Sequence, residues 1–398
     1  MIVMTMMVRD EADIVGAMIE HHLAQGVDLF LVTDNGSVDG TTEILEGFAR
    51  EGRIELSHDP RHLKQQHEVV TAMSREAARR GAQWVLNADA DEFWVCAHDP
   101  SRTLADELAE IDPAIGAFEV PVIDMTGPPA LSGSGLQRLL FRDQRPDAVM
   151  RDRGIHAHST PDVAFVPHGE VTVAQGNHFV DVASRGELGP GRGLQVYHFP
   201  WRSWAQFERK VGNAGRAYEA SPHLRPSINH HGMRDYRRLN DGLLLASYIA
   251  RHPTEEELAD GIQRGWFVED RRIADRVDSP QPDQLVAPET IAIEREVALR
   301  MLPIDRRVLR LEGERREALD RLAFETTHVA ELDELVATLR RDLDESKRTG
   351  DARAEAARAE ALDELHRIRL VRWALRLSAL LHRVKARAGG RQRTSRPR

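Results

Sequence analysis

The chain has 398 residues, 41% of them apolar and 30% charged, with a formal net charge of −10. That balance excludes wholesale disorder and fibrous repeats, and the length points to two or three domains. No stretch approaches the roughly 18 uncharged apolar residues of a membrane span, and a single cysteine, Cys96, excludes an intrachain disulfide and suits a cytosolic compartment.

The opening run, Ile2 to Met7, has no basic flank and no small-residue cleavage site, so it reads as a first strand and not a secretion signal. Glu11 to Gln25 carries Ile14, Met18 and Leu23 near helical spacing, with Gly26 as a stop. A second strand follows over Asp28 to Thr33. Asn35-Gly36-Ser37 marks a turn, and Asp39 or Thr41 can cap the next helix, which holds Ile44, Leu45 and Phe48. Arg53 to Ser57 is a short third strand, Gln65 to Arg80 a helix, and Gln83 to Asn87 a fourth strand. Strands alternating with helices in this way imply parallel βαβ units and an open α/β sheet.

The middle of the chain is less regular. Phe118 to Ile123 reads as a strand, Gly169 to Val182 alternates like one, and Ser203 to Tyr218 and Asp241 to Arg251 read as helices. Asp278 to Asp283 resembles a linker. From Val308 a heptad seam runs through Leu311, Arg315, Ala318, Leu322, Glu325, Val329, Leu332, Val336, Leu339 and Leu343, the pattern of a self-associating coiled coil. After Gly350 a second helix places Leu370, Trp373, Leu377 and Leu380 on one face. Residues 367–398 hold 11 basic and no acidic residues, so residues 1–366 carry −21. An acidic body with a basic tail argues against a general nucleic-acid binder. A basic amphipathic helix is instead suited to an anionic membrane surface.

In an open parallel sheet, ligands bind beyond the carboxyl ends of the strands. Two acidic clusters fall there: Asp34 and Asp39 after the second strand, and Asp89, Asp91 and Glu92 after the fourth. Carboxylates this dense repel one another unless a cation sits among them. Oxygen ligands suit Mg²⁺ or Mn²⁺, ions that commonly also hold substrate phosphates. There is no GxxxxGK[ST] loop and no GxGxxG after the first strand, so neither a P-loop NTPase nor a standard dinucleotide enzyme is expected. His156, His158, His168 and His178 match no zinc spacing; His178, in Gly176-Asn177-His178, is the exception, a candidate contact to acceptor or diphosphate. Trp201 and Trp204 suit core positions, His230-His231 a loop, and Cys96 a buried small residue.

Arg9 to Leu45, with its RxEADI…HHLxxGVDxFLVTDNGSxDGTxEIL pattern, and Trp84 to Trp94, WVLNADADEFW, resemble the nucleotide-binding half of the family 2 glycosyltransferases. Tyr197 to Ser203, followed by Phe207 and Lys210, is similar to that group's second-half motif. The resemblance implies a GT-A fold: an α/β, Rossmann-like open and mostly parallel sheet with flanking helices, here followed by a helical coiled-coil extension. It implies a nucleotide-sugar-binding half over 1–125 and an acceptor half over 126–277; beyond it, where the resemblance does not reach, the residue pattern reads as a linker at 278–300, a coiled coil at 301–348 and a basic helix and tail at 351–398.

The resemblance also assigns roles. Arg9, Glu11, Asp34, Asp89, Arg202 and Lys210 would bind the nucleotide; Asp89, Asp91 and His198 would hold Mn²⁺ or Mg²⁺. The implied reaction is inverting transfer from a nucleotide sugar, a UDP-sugar foremost, to a hydroxyl of a glycan or lipid-linked acceptor. The "ED" base motif of many family 2 members is missing, which leaves Glu170, Asp124 and Glu92 as candidate bases, in that order. The expected setting is cytoplasmic, as a homo-oligomer through the coil, with peripheral contact at the inner face of the plasma membrane. Two rival readings are a sugar nucleotidyltransferase, disfavoured by the lack of a glycine-rich first loop, and a non-enzymatic scaffold, disfavoured by intact Asp34, Asp89 and Asp91.

Overall fold

The computed structural model describes residues 1–61, 65–155, 158–174, 176–221, 231–349 and 353–390. His156, His230, Gly350 and the last eight residues of the basic tail lie outside them. Residues 1–307 form one compact unit and residues 308–398 a second.

The first unit opens as alternating strands and helices: β1 (Ile2–Val8), α1 (Val15–Ala24), β2 (Leu29–Asp34), α2 (Thr41–Arg50), β3 (Glu55–His58), α3 (Gln66–Arg79) and β4 (Trp84–Asn87). These four strands are parallel, as short βα units demand. The chain continues through β5 (Glu92–Cys96), α4 (Leu104–Ala109), β6 (Ala117–Val120), β7 (Val122–Thr126), β8 (Ala130–Ser132), β9 (Phe141–Asp143), α5 (Asp147–Asp152) and β10 (Asp162–Phe165). The main sheet has the order β3-β2-β1-β4-β10-β6, and β10 runs antiparallel between β4 and β6. One reversed strand inserted beside a four-stranded parallel block is the GT-A arrangement that the sequence led us to expect.

The remaining elements are β11 (Leu194–His198), α6 (Trp204–Glu219), α7 (His231–Asn240), α8 (Leu244–Arg251), α9 (Glu255–Gln263), β12 (Phe267–Glu269), β13 (Gln284–Leu285), α10 (Pro288–Thr349) and α11 (Arg353–Gly390). A second sheet has the order β12-β9-β7-β11-β5, and β13 pairs with β8. The core of the main sheet is apolar and fully buried, with Val3, Met4, Met6, Phe30, Trp84 and Leu86 at its centre.

Three sequence expectations change here. Phe118 to Ile123 is not one strand: the segment breaks at Pro121, which has no N–H for a ladder, and β6 and β7 enter different sheets. Among the described residues from Gly169 to Val182 there is only a single bridge, Val173 to Val180, and no regular strand. The proposed linker also differs at both ends. Asp283 accepts from the Gly135 N–H at 3.0 Å and pairs with Arg138 at 3.3 Å, which ties this stretch to the body. Helix α10 already begins at Pro288, inside the 278–300 span, because proline is well suited to a first helical position.

Two adjacent histidines join α1 to β5. His22 lies between the Met18 carbonyl (Nδ1, 2.8 Å) and the Trp94 N–H (Nε2, 3.0 Å), and His21 Nε2 meets the Trp94 carbonyl at 2.9 Å. Burial pushes His21 down to about 4 and His22 well below its ordinary value. Gly26 closes α1 with φ of 87°, and a Cβ there would stand 2.5 Å from that of Ala105.

In the second unit, Val336 on α10 and Ala361 and Ile368 on α11 are buried, and Arg372 reaches Asp333 at 2.5 Å. The later part of the heptad seam thus has a partner within its own chain. Val308, Leu311 and Leu322 remain exposed.

Candidate functional site

The site is assembled at the carboxyl ends of β1, β2 and β4. After β1 the chain enters Asp10 with φ of 56°. The Asp10 carboxylate accepts from the Val38 N–H at 2.8 Å, while the Glu11 N–H donates to Thr41 Oγ1 at 2.8 Å and the Ala12 N–H to Asp39 at 3.2 Å. The first and second strand-end loops are therefore laced together before any ligand binds.

Asp34 is buried and belongs to this lacing. Its Oδ1 accepts from the Ser37 N–H at 3.1 Å and Ser37 Oγ at 2.6 Å, and its Oδ2 from Thr42 Oγ1 at 2.7 Å. Asp39 accepts from Thr41 Oγ1 at 2.6 Å, but the residue at the helix N-cap is Gly40, with φ of 104° and no side-chain cap, so neither Asp39 nor Thr41 caps α2 as expected. Arg9 donates to Asn35 Oδ1 at 3.2 Å.

Helix α6 closes the site from far along the chain. Ser203 caps it by accepting from the Gln206 N–H. Just before the cap, Arg202 is fully buried. Its Nε donates to Asp13 Oδ2 at 2.5 Å, its second nitrogen to Asp13 Oδ1 at 2.9 Å and to Glu11, and its third stands 3.5 Å from Asp91 Oδ2. This fork holds the first loop to the end of β4. Two turns on, Lys210 Nζ lies 2.7 Å from the same Asp91 oxygen, with 42% of its side chain exposed. Arg209 donates to the Asp10 carbonyl at 3.0 Å and Asn213 to the Asp10 carboxylate at 2.7 Å. Sequence reasoning missed Asp13, Arg209 and Asn213. Asp13 is the aspartate of the RxEADI pattern, but its partner is 189 residues away.

The electrostatics follow from burial. Glu11 is pushed up to about 7 by desolvation, only partly offset by Arg202 and Lys210. Asp91 pays the same desolvation, yet Lys210, His198 and Arg202 hold its carboxyl well below the usual range. Asp89 is raised by burial and by Asp91; its Oδ1 accepts from Gln66 Nε2 at 3.0 Å and from Asn177 Nδ2 at 3.1 Å.

A second node lies beside it. Asp124, on β7, accepts from Ser159 Oγ at 2.8 Å and lies 2.8 Å from His198 Nδ1 and 3.6 Å from His158 Nδ1. Against its burial, these groups hold Asp124 far below the usual carboxylate range. Asp124 in turn lifts His158 to about 9. Despite burial, Asp91 and Asp124 raise His198 well above its ordinary value.

A divalent ion can be tested against these donors. Among the described residues, no three or more His, Cys, Asp or Glu stand together as an ion cage. Two donors do face one another: His198 Nε2 is 3.7 Å from Asp91 Oδ2, and its Nδ1 is fixed by Asp124. A carboxylate orienting an imidazole in this way is a usual feature of metal-ligating histidines. Once His198 gives up its Nε2 proton, as ligation requires, the pair fits an ion that takes most of its shell from phosphate oxygens and water, as Mg²⁺ and Mn²⁺ do. Asp89 is engaged elsewhere, by Gln66 and Asn177.

The three candidate bases lie apart. Glu170 is exposed, and its backbone carbonyl receives Arg75 at 3.3 Å. Glu92 is buried beneath the strand end, where its Oε2 accepts from the Asp89 N–H at 2.8 Å, and burial with Asp162 and Asp89 raises it well above the usual range. Asp124 is the node just described. Trp201 and Trp204 pack beside Phe207 and Tyr248, in keeping with core roles. Cys96 is buried, and desolvation lifts its thiol to about 11.

Residues 3–114 match the model of glycosyltransferase family 92, so this stretch carries a glycosyltransferase domain. No curated protein matches the chain. Solved structures are similar at low identity. TarS 1-349 of S. aureus in complex with UDP is 10% identical over 62% of this chain and 80% of that one, with a TM-score of 0.30. The same protein with UDP-GlcNAc is 10% identical over 66% and 80%, with a TM-score of 0.28. A mycobacterial protein is 17% identical over 54% and 74%, with a TM-score of 0.26.

Proposed function

We propose that the chain is an inverting glycosyltransferase of the family 2 type, moving a sugar from a nucleoside diphosphate sugar, a UDP-sugar foremost, to a hydroxyl of a glycan or lipid-linked acceptor. One observation carries the reading: Lys210, Arg202 and His198, each more than a hundred residues further along the chain, converge on Asp91 just after β4, beside the loops of β1 and β2. A diphosphate needs such an arrangement, with fixed cations at a strand-end crevice.

In this reading the acceptor oxygen attacks the anomeric carbon, the bond from that carbon to the diphosphate breaks, and the diphosphate leaves with the electron pair. Lys210 is partly exposed and has donors to spare beyond Asp91, so it meets the leaving phosphates. Arg202 is fully buried, so it acts by holding Glu11, Asp13 and Asp91 in place. Asp91 and His198 would hold Mn²⁺ or Mg²⁺, which when bound offsets the charge growing on the leaving group. Asp34 shapes the loop against which the base of the nucleotide would lie.

The test is a thermal-shift panel of UDP, GDP, CDP and dTDP, each with Mn²⁺, Mg²⁺ or EDTA. Stabilisation by one nucleotide, larger with the ion than with EDTA, supports the reading and names the donor base. No shift with any nucleotide in a folded sample sinks it and favours a scaffold.

A further inference from the structure

An inverting transfer needs a group that takes the acceptor's proton, and none of the three carboxylates expected from the sequence is placed to do so. Asp124 is saturated by Ser159, His198 and His158. Glu92 is buried and bonded to the Asp89 N–H. Glu170 has no bond to the cluster among the described residues, its carbonyl being held by Arg75.

A different pair lies at the same strand ends. Because β10 is antiparallel to β4, with Ala164 opposite Leu86, its first residue, Asp162, comes level with the carboxyl end of β4. Asp162 has a fully buried side chain, and its Oδ1 is 2.9 Å from His178 Nδ1. The neighbouring residue, Asn177, adopts φ of 66° and donates to Asp89 at 3.1 Å, which joins this turn to the donor side of the site. Unlike Asp162, His178 is open: 29% of its side chain is exposed.

We propose that His178 is the general base of the transfer and that Asp162 is its positioning residue; the assignment rests on the glycosyltransferase reading above. Asp162 accepts the Nδ1–H and so fixes the tautomer with its lone pair on Nε2. The acceptor's hydroxyl proton passes to Nε2 as its oxygen bonds to the anomeric carbon. Asp162 stabilises the imidazolium that forms, as carboxylate–imidazole pairs do elsewhere. A partly exposed imidazole is also open to water, so slow hydrolysis of the donor accompanies the activity.

The experiment measures nucleoside diphosphate release from UDP-glucose and UDP-N-acetylglucosamine, or from the corresponding sugars of whichever nucleotide stabilises the protein, with water as acceptor. The full-length wild type is compared with His178→Ala, His178→Gln and Asp162→Asn, and nucleotide-induced thermal shifts are recorded on each. The expected result is a fall in kcat of about 10²–10⁴-fold in both His178 variants, with KM for the donor and the nucleotide shift unchanged. Added imidazole restores part of the rate to His178→Ala, and Asp162→Asn shows a smaller fall in kcat. The assignment is overturned if His178→Ala keeps its rate within about threefold, well short of a general base's share. It is also overturned if the rate falls without imidazole rescue, or if wild type binds nucleotide yet hydrolyses no donor. No nucleotide binding at all overturns the glycosyltransferase reading itself, which is a separate outcome.

Discussion

Lys210 Nζ stands 2.7 Å from Asp91 Oδ2, and the two residues are 119 positions apart. The contact sets an exposed ammonium on a buried carboxylate that Arg202 and His198 also face. Asp91 therefore has two roles, as counter-ion to the protein's own cations and, with His198, as the place for an added one. Asp91→Asn keeps the shape and removes the charge. We expect the variant to remain folded, to lose the ion-dependent part of any nucleotide-induced thermal shift, and to retain less than a tenth of the donor turnover, about 1.4 kcal/mol or more in transition-state stabilisation. An Asp91→Asn protein with an undiminished ion-dependent shift would exclude Asp91 as a ligand.

Arg202 is the keystone of the first loop. Its fork spans Asp13, Glu11 and Asp91, and no part of it is exposed. Arg202→Met leaves Asp13 and Glu11 without their guanidinium in a dry setting and Asp91 with Lys210 and His198 alone. The expected cost is about 3–5 kcal/mol, the size typical of breaking a buried ion pair by removing one partner. Arg202→Lys should recover little, because an ammonium cannot make the two-pronged contact to Asp13. Urea unfolding of the three proteins decides the matter; a methionine variant within 1 kcal/mol of wild type, on the order of a surface pair, would contradict this account.

Stability should fall as pH rises, in two successive windows that overlap near pH 7. Glu11 is lifted from 4.5 to about 7, so between those values the folded state holds a proton that the unfolded state has released. Folding is then favoured at the acid end and loses ground toward pH 7, by at most about 1.4 kcal/mol per pH unit. His158 is lifted from 6.5 to about 9 by Asp124, so its contribution is complete below pH 6.5 and lost as pH rises through 9. Glu11→Gln should flatten the lower window and His158→Gln the upper one in Tm against pH. Unchanged slopes in both variants would show that these groups do not carry the dependence.

The exposed start of the heptad seam suits a second copy of the chain, and we propose self-association there. Leu311 is 50% exposed, whereas Val336, further along the same seam, is 7% exposed and sits where α11 supplies cover. Sedimentation should find wild type as a small oligomer and Leu311→Asp with Leu322→Asp as a monomer; a monomeric wild type at tens of micromolar would sink the proposal.

On α11, Leu370, Trp373 and Leu377 are exposed among arginines, the makeup of a surface-lying helix. Binding to vesicles of phosphatidylserine and phosphatidylcholine, read by Trp373 fluorescence, should exceed binding to phosphatidylcholine alone and weaken with salt. Equal signals from both vesicles would leave no role for the basic face.

Much of the first hundred residues was readable because local chemistry there is strong. Apolar runs of strand length, Gly26, and the Asn35-Gly36 turn each act on their own neighbours, and β1 to β4 with α1 to α3 form within a few residues of where the pattern set them. The acidic residues at the ends of β2 and β4 were visible for the same reason. The middle was harder, since Pro121 splits a strand-like run between two sheets and Gly169 to Val182 is held by contacts to α3, such as the Val173 N–H donating to Thr71 Oγ1 at 3.0 Å.

By itself, the sequence determined the parallel βαβ block, the crevice at its carboxyl ends and the carboxylates that line it, because strand length, turn chemistry and helical spacing are properties of adjacent residues. Only the tertiary structure decided what those carboxylates face. The charge argument from sequence required a cation among Asp89, Asp91 and Glu92, and the fold brings Lys210, Arg202 and His198 to Asp91 from more than a hundred residues away. It likewise set Asp162 against His178 and left Glu170 at the surface. Such pairings depend on strand order and on the reversal of β10, and neither leaves a trace in the spacing of residues along the chain.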